Sequence, residues 1–429
     1  MNVFNILKNK KITHNIIWLT SDRVTRISIN FIVSIVVAKY LGPEQFGILS
    51  FALSFTVLFT FLSNLGLSQI LVRELVSGKI LEKKLLGTNM ILRFAGSIIS
   101  ISFIGLILFY SNINQEYRSP ILILSLILVF NCSSVFDDFF QSSSQNKFNS
   151  ISKIITVLII AVINLVLVSF NANLNYFLFT YVIESIILMI LLFSFYRKNG
   201  GKIFKWTYNF KLSKFLLTES WPLIILGAAS LINARIDQIF IGNMVNNISL
   251  GNYAVASKIS EAWLIIPAIL SIVIAPDLIR MRESDYFSFR VYILKLIKRM
   301  FLFGIIFALL ISLNSNLIIS LIYSEKYSLA GNFLGLYIWT GLPYVSFFIL
   351  NEIFYIEKIT KYSLITSVVS IILNCTLNYF LILKFESVGA IYASLIATYI
   401  TYFVSFCVVY KKTNIFRHNK KTINTNNFK

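Results

Sequence analysis

Five polar residues near the start of the chain could do chemistry together. Wound at about 100° per residue, Asp22, Arg23, Arg26, Asn30 and Ser34 fall within an arc of about 120°, one polar face of a helix. Arginine carries five N–H donors in a rigid fork that matches phosphate or carboxylate, so two forks on one cavity wall could hold a pyrophosphate. Further cations stand at Arg93, Arg235 and Lys258, and further acids at Asp138, Glu184, Asp237 and Glu261. Glu219, Ser230, Asn233 and Asp237 share one helical face, from which Arg235 points away by about 160° relative to Asp237. Asn131, Ser134, Asp138 and Gln141 share another face. Lys258 and Glu261, three residues apart, can pair. Each group also has a plainer reading as an ion pair that fixes helix packing. That reading suits Lys258 with Glu261 best and the Arg23/Arg26 pair least, because the two arginines share a single acid. The acids could carry a coupling proton or sodium ion, and the apolar segments hold nearly as many acids as bases, so the cavity need not be cationic overall.

The elements that position these residues must lie in a membrane. Of 429 residues, 57% are hydrophobic and 13% charged, against about 45–50% and 25% in a soluble globular protein. A water-soluble fold, disorder, collagen and coiled coil are thereby excluded. A spanning helix needs about 20 mostly apolar residues. Runs of that kind stand at 17–40, 44–66, 86–110, 119–140, 151–170, 174–196, 215–241, 251–276, 292–313, 331–356, 362–383 and 387–410. The expected fold is an all-α integral membrane protein of about twelve spans. The longest links, near 67–85, 197–214 and 277–291, are too short to fold as separate domains. Charges inside such spans are costly and usually face a cavity or the bundle interior.

Lysine and arginine set the expected orientation. One set of alternate loops with the termini holds 29 of them, and the other holds only Lys39, Arg118, Lys326 and Lys384. Both termini are expected in the cytoplasm. The net charge of +20 is then a topology signal, which needs no nucleic acid but would attract anionic membrane lipid. No small-residue cleavage site follows Lys8–Lys11, so no cleaved signal peptide is expected. In the first span only Ile27 to Ala38 is an unbroken uncharged run, about 18 Å of helix against a core of about 30 Å. Its charged half must be shielded by protein or water.

Two stretches repeat at a spacing of 204 residues: Leu41-Gly-Pro-Glu-Gln-Phe-Gly47-Ile-Leu-Ser-Phe-Ala52 and Val245-Asn-Asn-Ile-Ser-Leu-Gly251-Asn-Tyr-Ala-Val-Ala256. Gly47 matches Gly251 and Ala52 matches Ala256. The phase divides the chain into a six-helix lobe with its basic link at 1–204, a second lobe at 205–410, and a basic tail at 411–429. Parallel halves of this kind hold substrate between them near the midplane.

Catalytic signatures are missing: no GxSxG, P-loop, GxGxxG or HExxH occurs. Cys132, Cys375 and Cys407 sit in apolar runs as packing residues, and His14 and His418 lie far from them. No metal, organic cofactor or enzymatic activity is expected. A membrane polymerase would need a large outer loop, and the longest, near 314–330, carries only Glu325 and Lys326 as charges. No repeated filter sequence suggests a channel.

Several motifs resemble one family. Val37-Ala-Lys-Tyr-Leu-Gly-Pro-Glu-Gln-Phe-Gly-Ile-Leu-Ser-Phe-Ala52 resembles the N-terminal signature of the bacterial polysaccharide transporters, and Leu65-Gly-Leu-Ser-Gln-Ile-Leu-Val-Arg-Glu74 continues it. Phe139-Phe-Gln141 with Lys147-Phe148 is similar to the end of that family's fourth helix, with Ser142 in place of the usual glycine. Ser220-Trp-Pro222, the run Ile232 to Asn243 and the run Gly251 to Trp263 resemble its seventh and eighth helices. The family includes the Wzx-type O-antigen and capsule flippases, within the MOP superfamily that also holds MATE exporters and lipid II flippases. The resemblance implies an oligosaccharide on undecaprenyl pyrophosphate, moved across the bacterial inner membrane by alternating access, and other surface-polysaccharide assembly proteins as partners. On the flippase reading the arginine forks of Arg23 and Arg26 are the first expected to hold the pyrophosphate, with Arg93, Arg235 and Lys258 as further candidates. Asp22, Asp138, Glu184, Asp237 and Glu261 are the acids available for ion coupling. An exporter of small cations with the same architecture is the alternative.

Overall fold

The computed structural model describes residues 10–413, 415 and 416, with side chains from residue 23 onward except at 269, 272, 273, 276 and 360. The side chain of Asp22 and most of the tail expected at 411–429 therefore lie outside the described residues. The helices are α1 (Lys10–Leu58), α2 (Thr60–Asn64), α3 (Leu67–Ser77), α4 (Glu82–Tyr110), α5 (Gln115–Phe130), α6 (Ser134–Ser142), α7 (Asn146–Ser169) and α8 (Leu174–Lys198). They continue as α9 (Phe210–Met244), α10 (Asn247–Ala262), α11 (Ile265–Ser284), α12 (Tyr286–Leu313), α13 (Ser315–Ile322), α14 (Ser328–Tyr337), α15 (Gly341–Ile356) and α16 (Thr360–Lys412).

Among the described residues, nine stretches are long and apolar enough to cross a membrane. Two of them hold a pair of spans each, because the backbone leaves helical geometry at Gly42 (φ 72°) in α1 and at Glu386 (φ 51°) in α16. At Gly42 the left-handed φ suits a residue without a Cβ, and Pro43 restarts the helix where no N–H is needed. The pieces α10 and α11 together form one more crossing, broken near Trp263 and Leu264. The described residues thus carry twelve spans. Spans 4 and 10 are also interrupted, by short tight-helical turns at Asn131–Ser133 and Ile338–Thr340.

The basic links differ from the loops expected. Most of 67–85 is the amphipathic helix α3 and the first turn of α4. Most of 277–291 is taken by the end of α11 and the start of α12, with Asp285 capping α12. The Ser288 hydroxyl and the N–H groups of Ser288 and Phe287 donate to the Asp285 carboxylate and hold it below the usual carboxylate range. The link at 199–209 docks on span 3: Thr207 N–H donates to the Lys83 carbonyl and Asn209 N–H to Thr88 Oγ1.

Packing separates the two lobes at one end and joins them at the other. At the end carrying the basic links, one core gathers Leu71, Leu85, Phe136, Phe140 and Tyr196, together with Leu216 from the start of span 7. A separate core gathers Phe289, Ile293, Leu350, Phe354 and Val409. At the opposite end a single core contains residues of both halves, including Leu49, Phe51, Tyr117, Ile241, Tyr253 and Tyr327.

Candidate functional site

Span 1 and span 2 of the first lobe meet spans 7 and 8 of the second at the joined end. Two buried tyrosines close it. Tyr117 donates to the Gly242 carbonyl (3.0 Å) and bonds Asn247, whose amide in turn donates to Glu116 (2.7 Å). From the other lobe, Tyr327 donates to the Ala38 carbonyl (2.7 Å). Phe51 stacks on Tyr117 at 3.8 Å between ring centroids. A seal of this kind is built from buried hydroxyls whose partners lie across the interface, so it satisfies its polar groups only when the lobes are together.

Beneath the seal lies a cavity of about 510 Å³ between the lobes. Its first-lobe wall carries Asn30 and Ser34 from span 1, Ser50 and Ser54 from span 2, Asn164, Thr180 and Glu184. Its second-lobe wall carries Arg235 and Gln238 from span 7 with Ser257, Lys258 and Glu261 from span 8. Two hydrogen bonds bridge the walls: Lys258 Nζ donates to Ser34 Oγ (2.6 Å) and Ser54 Oγ to Gln238 Oε1 (2.6 Å). Lys258 also stands 5.7 Å from the centre of the Phe46 ring. Arg235 approaches Glu261 at 3.8 Å. The Lys258–Glu261 pairing suggested by their spacing is therefore replaced. Glu261 turns to Arg235 and Lys258 turns across the cavity to span 1.

The remaining sequence candidates divide by location. Arg26 is half-buried, and its charge acts on Glu184, which lines the cavity; Arg23 is exposed on the same helix toward the basic end. Arg93 and Asp138 do not line the cavity. They pair with each other at 2.5 Å inside the first lobe, and Arg93, fully buried, also donates to Ser68 (3.1 Å) and Ser134. The polar face expected on span 4 is real but internal: Asn131 donates to Ser63, and Ser134 and Asp138 receive Arg93. Glu219, at the basic end, pairs with Arg73 of α3 at 3.2 Å. Arg235 and Asp237 do occupy opposite faces of span 7, as their angular separation requires.

Asp237 lies in a second polar cluster, buried within the C-terminal lobe. Its carboxylate accepts hydrogen bonds from Tyr253 Oη (2.7 Å), Asn378 Nδ2 (2.7 Å) and the Ser394 hydroxyl. Asn378 also donates to Asn374 Oδ1 (2.7 Å). Asn378 Oδ1 is buried and receives no hydrogen bond. No basic side chain forms an ion pair with Asp237 among the described residues. Burying a carboxylate without a cation is costly, and neutral donors alone compensate it only in part. Asn374, Asn378, Tyr253 and Ser394 escape a search for charges. The recurrence of Asn at 374 and 378, one helical turn apart in an apolar run, is the signal that marks them. A third feature is a chamber of about 460 Å³ in the same lobe, which shares Glu261 with the central cavity.

Comparison with known proteins agrees with this geometry. The family described as polysaccharide biosynthesis protein matches residues 12–282, and the MatE family matches 222–380. The capsular polysaccharide biosynthesis protein CapF of Staphylococcus aureus is 24% identical over 395 residues, covering 89% of this chain and 95% of CapF. Among solved structures, the lipid II flippase MurJ in an inward closed conformation superposes with a TM-score of 0.73 at 18% identity, covering 92% of this chain and 87% of MurJ. The MATE multidrug transporter DinF-BH gives 0.66 at 14% identity, covering 95% of this chain and 96% of that transporter. The fold is thus that of the MOP-superfamily transporters, two six-helix lobes of a multi-pass membrane protein, and the chain belongs to the polysaccharide biosynthesis protein family.

Proposed function

We propose that this protein is a flippase for lipid-linked oligosaccharides. It carries an O-antigen or capsule repeat unit on undecaprenyl pyrophosphate from the cytoplasmic to the outer leaflet of the bacterial inner membrane. The observation that carries the proposal is the cavity between the lobes, with Arg235 and Lys258 on one wall of amides and hydroxyls, in a chain of a polysaccharide biosynthesis family. The similarity to MurJ, a lipid II flippase, and to CapF, a capsular polysaccharide protein, supports the same reading. In this proposal the basic end faces the cytoplasm with both termini, and the joined end faces outward.

Roles follow from position. Lys258 and Arg235 hold the pyrophosphate at the cavity wall, where charge-assisted hydrogen bonds act in a low-dielectric setting. Arg23 and Arg26 lie lower on span 1 and guide the headgroup in from the basic end. Arg93 and Asp138 brace span 3 against span 4. Asp237 takes the coupling cation, a proton or sodium ion, with the oxygens of Asn374, Asn378 and Ser394 around it. Lys258 reaches from span 8 to Ser34 of span 1, so an anion that engages Lys258 competes with a bond holding the lobes together.

The test is transport by purified protein in liposomes. Movement of an undecaprenyl-pyrophosphate oligosaccharide between leaflets, with no uptake of organic cations, is the expected result. The second reading, a cation-coupled exporter of small molecules, is favoured by the MatE match at 222–380 and by the acids Glu184 and Glu261 on the cavity wall. Uptake of organic cations with an inert lipid-linked sugar would establish that reading instead.

A further inference from the structure

The chamber in the C-terminal lobe differs chemically from the central cavity beside it. At about 460 Å³ it lies within the range of small-molecule sites, about 300–1,000 Å³. Among the described residues, no lysine or arginine lines it. Its single charged group among them is Glu261, on the wall shared with the central cavity, where Arg235 approaches at 3.8 Å and offsets the charge.

Four of the hydroxyls that line the chamber are arranged alike. Ser367, Thr398, Thr401 and Thr340 each donate their proton to a carbonyl of the preceding turn, at 2.8, 2.7, 2.7 and 2.7 Å. A hydroxyl whose proton is committed keeps its oxygen lone pairs as acceptors. Asn233 also lines the chamber, and its Oδ1 is buried and receives no hydrogen bond. Two aromatic rings, Tyr344 and Phe347, stand on the same wall with centroids 6.4 Å apart and planes at 88°. Such a surface suits a ligand rich in O–H donors, with C–H faces for the rings and no net charge. A pyrophosphate finds no cation there, an acyl chain would strand the acceptors, and an organic cation meets a carboxylate already offset by Arg235.

We infer that this chamber is a saccharide subsite, which takes neutral sugar residues of the substrate while Arg235 and Lys258 hold its pyrophosphate next door. The inference rests on the flippase reading above. Glu261 marks the passage between the two compartments, and Lys258, one turn before it, sits on the pyrophosphate side.

The experiment compares two probes in liposomes: the complete repeat unit on undecaprenyl pyrophosphate, extracted from the host, and undecaprenyl pyrophosphate bearing a single hexose. Ser367→Phe fills the chamber, and Thr398→Val removes an acceptor at nearly constant volume. Transport of the complete unit should fall roughly tenfold or more in Ser367→Phe and by a few-fold in Thr398→Val. The single-hexose lipid should move within about twofold of wild type in both. Equal loss of both probes in Thr398→Val, or full transport of the complete unit by both variants, overturns the subsite. If the wild-type protein moves neither probe, the flippase reading itself fails and the subsite with it.

Discussion

Gly47 and Gly251, the two glycines matched by the internal repeat, pack against each other's segments across the lobe interface. A methyl group on Gly47 would collide with the Asn247 carbonyl and stand 3.1 Å from the Gly251 amide nitrogen. A methyl group on Gly251 would collide with the Pro43 carbonyl. Pro43 and Asn247 are themselves equivalent positions of the repeat. Each lobe therefore presents the same glycine to the same position of the other, as a pseudo-two-fold axis requires. The absence of a Cβ lets the helices approach closely enough for Tyr117 and Tyr327 to complete the seal.

This contact belongs to the state in which the joined end is shut. Gly47→Ala and Gly251→Ala should each destabilise that state by about 1–3 kcal/mol through overpacking. The expected outcome is inserted protein with slowed transport and greater labelling of Ser50→Cys, a cavity residue, by a membrane-impermeant thiol reagent applied outside. Unchanged labelling would show that the glycines do not govern closure.

Lys258 joins two roles, the bond to Ser34 and the proposed hold on pyrophosphate. Hydrogen bonds to charged groups contribute about 1.5–3 kcal/mol, so Lys258→Ala should slow transport of the lipid-linked probe by roughly tenfold or more. Lys258→Arg should recover part of the activity. Arg26→Ala, acting at the entrance near Glu184, should abolish transport while leaving the protein in the membrane. Wild-type rates in either alanine variant would remove that residue from the anion path.

The Arg93–Asp138 pair predicts a different pattern. Removing one partner leaves a buried charge unanswered, which costs about 3–5 kcal/mol. Arg93→Leu and Asp138→Leu should each lower the thermal midpoint in detergent, and the double variant should recover much of the loss. A stable single variant that fails only in transport would move the pair from bracing to the substrate path.

The twelve spans were legible because a bilayer enforces long apolar runs. The opposed directions of Arg235 and Asp237 were legible from helical geometry. Partners were less so. The sequence neighbour of Lys258 is Glu261, but its bond goes to Ser34, 224 residues away, because lobe packing and not helical spacing decides which groups meet. The repeat glycines were visible as equivalents, yet nothing local shows that equivalents touch. Asp237 stood out as an acid, while Asn374 and Asn378, uncharged in an apolar run, gave little contrast. The basic links read as loops because lysine and glutamate lower their hydropathy, although α3 is an amphipathic helix and α12 begins as a capped one.

Asp237 tests the coupling proposal. Asp237→Asn keeps the volume and removes the charge that a cation would answer. In wild-type liposomes an imposed sodium or proton gradient should accelerate transport; in Asp237→Asn the rate should no longer respond to either. A variant that still follows the gradient would transfer coupling to another acid, with Glu184 the first to examine.

The most direct measurement is made in the host. The gene is deleted, and polyprenyl-linked sugars are extracted from inner-membrane vesicles of known orientation. A flippase predicts that the complete repeat unit accumulates on the cytoplasmic face while surface polysaccharide is lost. Repeat units that still reach the outer face, with only drug sensitivity altered, would contradict it.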